Sequence, residues 1–128
     1  MVKITVSDDC GNSPKKLFLK DLNVAFAKGD IEFIRESVSD DISWNIVGDK
    51  QIQGKSDFDK ALEQMQSSEA VELIIGKIIT HGKEGAVSGE IKTADGKVYA
   101  YCDIYEFRGA KGASIRSIES YVIETGGA

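Results

Sequence analysis

The sequence predicts an α+β domain in which helices precede a curved antiparallel sheet, and three observations lead there. Apolar residues recur three and four apart through much of the first half of the chain, whereas from Val71 onward they alternate with polar ones in long stretches. Gly-containing turns separate those stretches. Thirteen Gly beside a single Pro fit strands joined by turns, where positive φ is wanted and ladder donors must be kept. With 128 residues, 41% hydrophobic and 29% charged, the chain has room for one core, so helices and sheet must share it.

The elements follow in order. Val2, Ile4 and Val6 alternate as in a short strand, but the polar run Ser7–Ser13 equally suits a disordered extension, so residues 1–13 are set apart from a single domain over 14–125. Ser13-Pro14 supplies an N-cap and a first-turn proline, and Phe18, Leu22, Ala25 and Phe26 carry a helix to Gly29. Asp30 caps a shorter helix with the stripe Ile31, Ile34 and Val38, ending at Asp40-Asp41. Ile42, Trp44 and Ile46 then alternate, and Gly48-Asp49 turns the chain into Gln51–Gln53, a small hairpin. Ser56 and Asp59 resemble a capping arrangement for a third helix carrying Phe58, Ala61, Leu62 and Met65. Four strands complete the chain: Val71–His81, Ala86–Thr93, Lys97–Phe107 and Ser114–Glu124, joined by turns at Gly82–Gly85 and Asp95-Gly96 and by the loop Arg108–Ala113.

Composition excludes several classes of function. Sixteen Lys and Arg against 21 Asp and Glu give a net charge of −5 with no basic block, which argues against nucleic acid as a partner. No apolar run reaches the roughly 20 residues of a membrane span, and Met1–Asp9 lacks the apolar core of a secretory signal, so the expected compartment is the cytoplasm. Cys10 and Cys102 form no framework, knuckle or redox pair and read as two free thiols. Gly54-Lys55-Ser56 has Asp49 where a phosphate-binding loop needs its first Gly, and Asp40-Asp41 lacks a third ligand nearby. Neither a metal nor another cofactor is expected.

The strand Lys97–Phe107 can be phased from its own residues. With Glu106 facing outward, Tyr99, Tyr101, Asp103, Tyr105 and Phe107 share the other face, placing one carboxyl among phenols. The same logic sends Val87, Gly89 and Ile91 inward on the preceding strand, and sets Ile118, Ser120 and Val122 against Ser117, Glu119 and Tyr121 on the last. A carboxyl among aromatics is desolvated, which raises its pKa and suits it to hold or transfer a proton. The plainer alternative is an Asp103 satisfied by a tyrosine hydroxyl or backbone amide and shaping the interior only. Trp44, Ile46, Tyr101 and Tyr105 are read as pocket lining or as ordinary core. His81, the single histidine, stands beside Gly82 either at a pocket rim or in a solvated hairpin.

The ordered pieces Phe26-Ala-Lys-Gly-Asp30, Val38-Ser-Asp-Asp41, Trp44, Gly48, Ile52-Gln-Gly-Lys55 and Phe58 resemble the first half of the nuclear transport factor 2-like superfamily. Asp103-Ile-Tyr-Glu-Phe107 and Ile115-Arg-Ser-Ile-Glu-Ser-Tyr121 resemble its last two strands, so the likeness runs from about residue 14 to 124. The resemblance, SnoaL-like and ketosteroid isomerase-like, implies a cone-shaped barrel of curved antiparallel sheet wrapped on three helices. It also implies a pocket open at one end and a homodimer through the outer sheet face. Members include isomerases, polyketide cyclases, dehydratases, epoxide hydrolases and non-catalytic modules, so the fold raises the expectation of a small-molecule ligand without naming a reaction.

Asp103 matches the aspartate that ketosteroid isomerases keep protonated to stabilise an oxyanion. Two departures weigh against that reaction: the isomerase tyrosine falls at Leu22 and its basic aspartate at Ile46, and neither residue transfers a proton. An Asp–Arg–Asp set for water activation is also missing, since Arg35, Arg108 and Arg116 phase outward or lie in loops. The expectation is therefore a small, largely apolar ligand held by Trp44, Ile46, Tyr99, Tyr101, Tyr105, Ser120 and His81 around a catalytic Asp103, in a cofactor-independent isomerase, cyclase or dehydratase. The alternative is a non-catalytic ligand-sensing or protein-interaction module.

Overall fold

The structure, a computed structural model, describes residues 2–11, 13–65, 70–109 and 114–126. Most of the loop Arg108–Ala113, residues 110–113, thus lies outside the described residues. Strand β1 (Lys3–Val6) and a 3-10 turn (Asp8–Gly11) precede helices α1 (Pro14–Lys28) and α2 (Ile31–Glu36). Then come β2 (Val38–Ile46), β3 (Lys50–Gln53), α3 (Lys55–Met65) and the long strands β4 (Ala70–His81), β5 (Glu84–Thr93), β6 (Val98–Phe107) and β7 (Ile115–Gly126). Among the described residues seven strands form one sheet in the order β1-β4-β5-β6-β7-β2-β3, with three helices on its inner face: the expected α+β architecture.

Local signals explain the helix boundaries. Ser13 accepts a hydrogen bond from the Lys16 amide, and Gly29 ends α1 at φ 74°, a conformation that only Gly adopts without strain. Asp30 then caps α2 by accepting from Phe33 N. Two expectations need correction here. The second helix stops at Glu36 rather than at Asp40-Asp41, because Val38 and Ser39 are already buried in β2, which pairs in parallel with β7 from Val38 opposite Ile115. The third helix starts at Lys55, one residue before the expected cap, with the Phe58 amide bonded to Gly54 O. Asp59 serves instead as an ion-pair partner of Arg35 at 3.0 Å, tying α3 to α2.

The long strands hold the expected alternation. Val87 and Phe107 are buried, Tyr101 and Tyr105 with them, whereas Ile79, Ile104 and Ile123 lie exposed on the outer face. The turn between β4 and β5 is tighter than expected: only Gly82 and Lys83 are outside the strands, and Gly85 pairs with both Thr80 and Tyr105. Among the first dozen residues, Lys3–Val6 form β1 in parallel with β4, and Ile4 and Val6 pack on the core. Cys10, from the following 3-10 turn, is buried in that core. Both cysteines are free.

The sheet bends where β4 carries an irregularity between Ile75 and Lys77 opposite Gly89. A Cβ on Gly89 would lie 2.1 Å from the carbonyl oxygen of Ile74, so the backbones approach as only Gly permits. Gly89→Ala is expected to destabilise by roughly 1–3 kcal/mol in urea unfolding, the usual cost of forcing atoms into a packed site. Gly126→Ala, where nothing lies within 4 Å, is the control and should stay within about 0.5 kcal/mol of the parent.

Candidate functional site

Bending the sheet around three short helices leaves an internal cavity of about 690 Å³. Its walls come from α1 and α2, from Trp44 and Ile46 of β2, from Leu62 and Met65 of α3, and from the inward residues of β4 to β7. Most of the lining is apolar. Exposed Met65, Val71 and Val122 mark the open end, while Asn23, Trp44, Tyr105 and Ser120 are buried at the closed one.

Alternation along β6 delivers Tyr99, Tyr101, Asp103 and Tyr105 to the cavity, as the sequence predicts, and Trp44, Ile46 and Ser120 line it too. His81 does not. It lies exposed at the last position of β4, paired with Glu84 in the hairpin, so the solvated alternative holds and the pocket role assigned to it is corrected. Leu22 is fully buried in the core, and Ile46 lines the cavity.

Two hydrogen-bonded arms converge on Asp103. In one, the Asn23 amide nitrogen donates to the Leu19 carbonyl at 2.8 Å and to the Tyr105 hydroxyl oxygen at 3.1 Å. Tyr105 in turn donates to Asp103 Oδ2 at 3.2 Å, and Tyr101 donates to Asn23 Oδ1 at 3.1 Å. In the other, Trp44 Nε1 donates to Ser120 Oγ at 2.9 Å, and Ser120, directly opposite Asp103 across the sheet, favours the charged form of its carboxyl. Trp44 is itself wedged between Phe26 and Phe58, with ring centroids 5.7 and 5.6 Å away.

The proton directions in the first arm follow from chemistry. A backbone carbonyl can only accept, so Leu19 O fixes which end of the Asn23 side chain is nitrogen. The oxygen end must then accept from Tyr101, and the Tyr105 proton is left for Asp103. Asn23 is the functional residue that sequence reasoning missed. A polar residue four after Leu19 and three before Phe26 sits inside the apolar stripe of its helix, and that position was the available signal.

Burial raises the Asp103 pKa to about 6, against the hydrogen bonds from Ser120 and Tyr105 that favour its charged form. Burial and the adjacent Asp103 charge push both Tyr101 and Tyr105 well above the usual phenol range, so they remain neutral hydroxyls. The site therefore holds one carboxyl that exchanges a proton near neutrality, braced by groups that do not.

A SnoaL-like domain matches residues 19–115, and the chain belongs to that family, within the nuclear transport factor 2-like superfamily. No curated protein matches. Among solved structures, a nuclear transport factor 2-like protein of unknown function from Cytophaga hutchinsonii is 27% identical with a TM-score of 0.63, the match covering 85% of this chain and 99% of that one. An LEH-like epoxide hydrolase from M. tuberculosis shares the fold at TM-score 0.70 and 17% identity, over 84% of this chain and 80% of its own. SalBIII, an epoxide hydrolase/cyclase-like enzyme of pyran ring formation in salinomycin, does so at 0.71 and 15%, over 85% and 90%.

A raised carboxyl pKa has a signed consequence for stability. As pH rises from about 4 to about 6 the unfolded chain releases this proton while the folded chain retains it, so stability falls over that window and the loss is complete above it. The shift from 3.8 to about 6 corresponds to about 3 kcal/mol. Asp103→Asn should therefore gain about that much on the parent between about pH 4 and pH 8 in urea unfolding. The lowered pKa values of exposed Asp41 and Asp95 act in the opposite sense, and they cancel in the comparison because both proteins carry them.

Proposed function

We propose that the chain binds a small, largely apolar molecule in this cavity and moves a proton on it through Asp103, without a cofactor. One observation carries the reading: two arms of hydrogen bonds aim a Tyr105 hydroxyl and Ser120 at a single carboxyl inside an apolar cavity. The cavity volume lies within the range of small-molecule sites.

A carboxyl titrating at about 6 divides its population between acid and base at physiological pH, which is what general acid–base work requires. Asp103 takes a proton from one position of the ligand and returns it to another, or to a departing hydroxyl that leaves as water. Atoms and electrons then balance without oxidant or metal, as in isomerisation, cyclisation or dehydration. Tyr105 and Ser120 steady the carboxylate while the proton is away. Hydrolysis by a water held between two carboxylates is less well served, since Asp103 is the one carboxyl among the described lining residues and none of them is arginine.

The alternative, a cavity that binds or senses without chemistry, draws on Leu22 and Ile46 standing where isomerases place their proton-transferring partners. We further propose that two copies meet through the outer sheet face. There Ile79, Ile104 and Ile123 are exposed, Ile79 and Ile104 aligned across Ala86 of β5.

Native mass spectrometry of gently purified protein should show a dimer carrying mass beyond two 13.9 kDa chains. With the recovered ligand or an analogue as substrate, Asp103→Asn is expected to lower kcat about 100-fold or more while the circular dichroism spectrum stays unchanged. The kcat/KM profile of the parent should bend near pH 6. Ligand returned chemically unaltered after prolonged incubation favours the binding module.

A further inference from the structure

At the closed end of the cavity the donors are already committed. Both amide protons of Asn23 are used, one on Leu19 O and one on Tyr105. The Tyr101 proton goes to Asn23, the Tyr105 proton to Asp103, and the indole proton of Trp44 to Ser120. Ser120 accepts from the indole, and its hydroxyl stands opposite the Asp103 carboxyl, whose charged form it favours. What these groups still present to the cavity is lone pairs. Tyr99, two residues along β6 from Tyr101 and half-buried, lies outside this network.

We propose that the closed end selects a ligand hydroxyl, so that the molecules this chain takes are neutral alcohols on an apolar frame rather than the corresponding ketones. This rests on the reading of the cavity as a ligand site. A hydroxyl brings the donor that the closed end lacks, and Asp103 in its charged form has accepting capacity beyond the bonds from Tyr105 and Ser120. A carbonyl in the same place sets lone pairs against lone pairs and finds no donor, the kind of mismatch that a buried polar site rejects strongly.

The preference carries its own pH dependence. Protonated Asp103 becomes a donor and accommodates a carbonyl, so discrimination fades as pH falls through about 6. Facing the carboxyl are Tyr105 and Tyr101 of its own strand, Ser120 of β7, Val87 opposite on β5, Asn23 of α1 and Trp44 of β2. Neither tyrosine ionises in this range, both being held well above the usual phenol value. Lys28 is the cationic residue of the described lining and is exposed at the end of α1.

Trp44, the single tryptophan, lines the cavity and reports occupancy by its fluorescence. Titration of the intact protein with decalol and with decalone at about pH 8 should show the alcohol binding about tenfold tighter or better, the ratio dropping toward one at about pH 5. Asp103→Asn should remove the pH dependence. Should that variant not fold, Tyr105→Phe serves: it deletes a donor to the carboxylate, raises the Asp103 pKa and moves the midpoint of the preference to higher pH. Decalone binding as well as decalol at about pH 8, or a midpoint that Tyr105→Phe leaves in place, overturns hydroxyl selection while the cavity remains a ligand site. If neither probe alters Trp44 emission, the ligand-site reading falls, and hydroxyl selection with it.

Discussion

A sheet bent as sharply as this one has an inner face that three short helices cannot cover. Helix α1 lies along it, α2 is only six residues long, and α3 closes against β2 and β3. The curvature requires the close approach of β4 and β5 at Gly89, where no side chain fits. The uncovered remainder is the cavity, so the curvature that creates it also denies the chain a fully packed core. The apolar lining is core surface left without a partner.

Within that space the polar groups are few, and each is constrained by another. The Leu19 carbonyl orients Asn23, Asn23 orients both tyrosines, and an indole with a single donor orients Ser120. Removing one member would leave a buried polar atom unsatisfied, which is why such a network holds one arrangement rather than several. Asp103 stands at the junction and is the member with a titratable proton near neutrality. Burial and hydrogen bonding oppose each other on its pKa, and burial prevails.

Much of this was legible in the sequence, for a physical reason. Strands with one buried face must alternate, so the outward Glu106 was enough to phase β6 and place Tyr99, Tyr101, Asp103 and Tyr105 together. Caps at Ser13, Gly29 and Asp30 are local chemistry and were equally readable. What could not be read depends on partners far along the chain. Val38 opens a strand because β7 pairs with it, and nothing near residue 38 announces residue 115. Ser120 meets Asp103 and Trp44 only through the register of three strands. Asn23 was local enough to find, yet a search for apolar stripes passes over a polar residue inside one.

The parallel strand β1 runs beside β4 at the edge of the sheet, and Val2, immediately ahead of it, lines the cavity together with Met65 and Val71 of the open end. Polypeptide joined ahead of Val2, whether a purification tag or a fused domain, would be delivered to the open end of the cavity. Residues added there border the open end of the cavity.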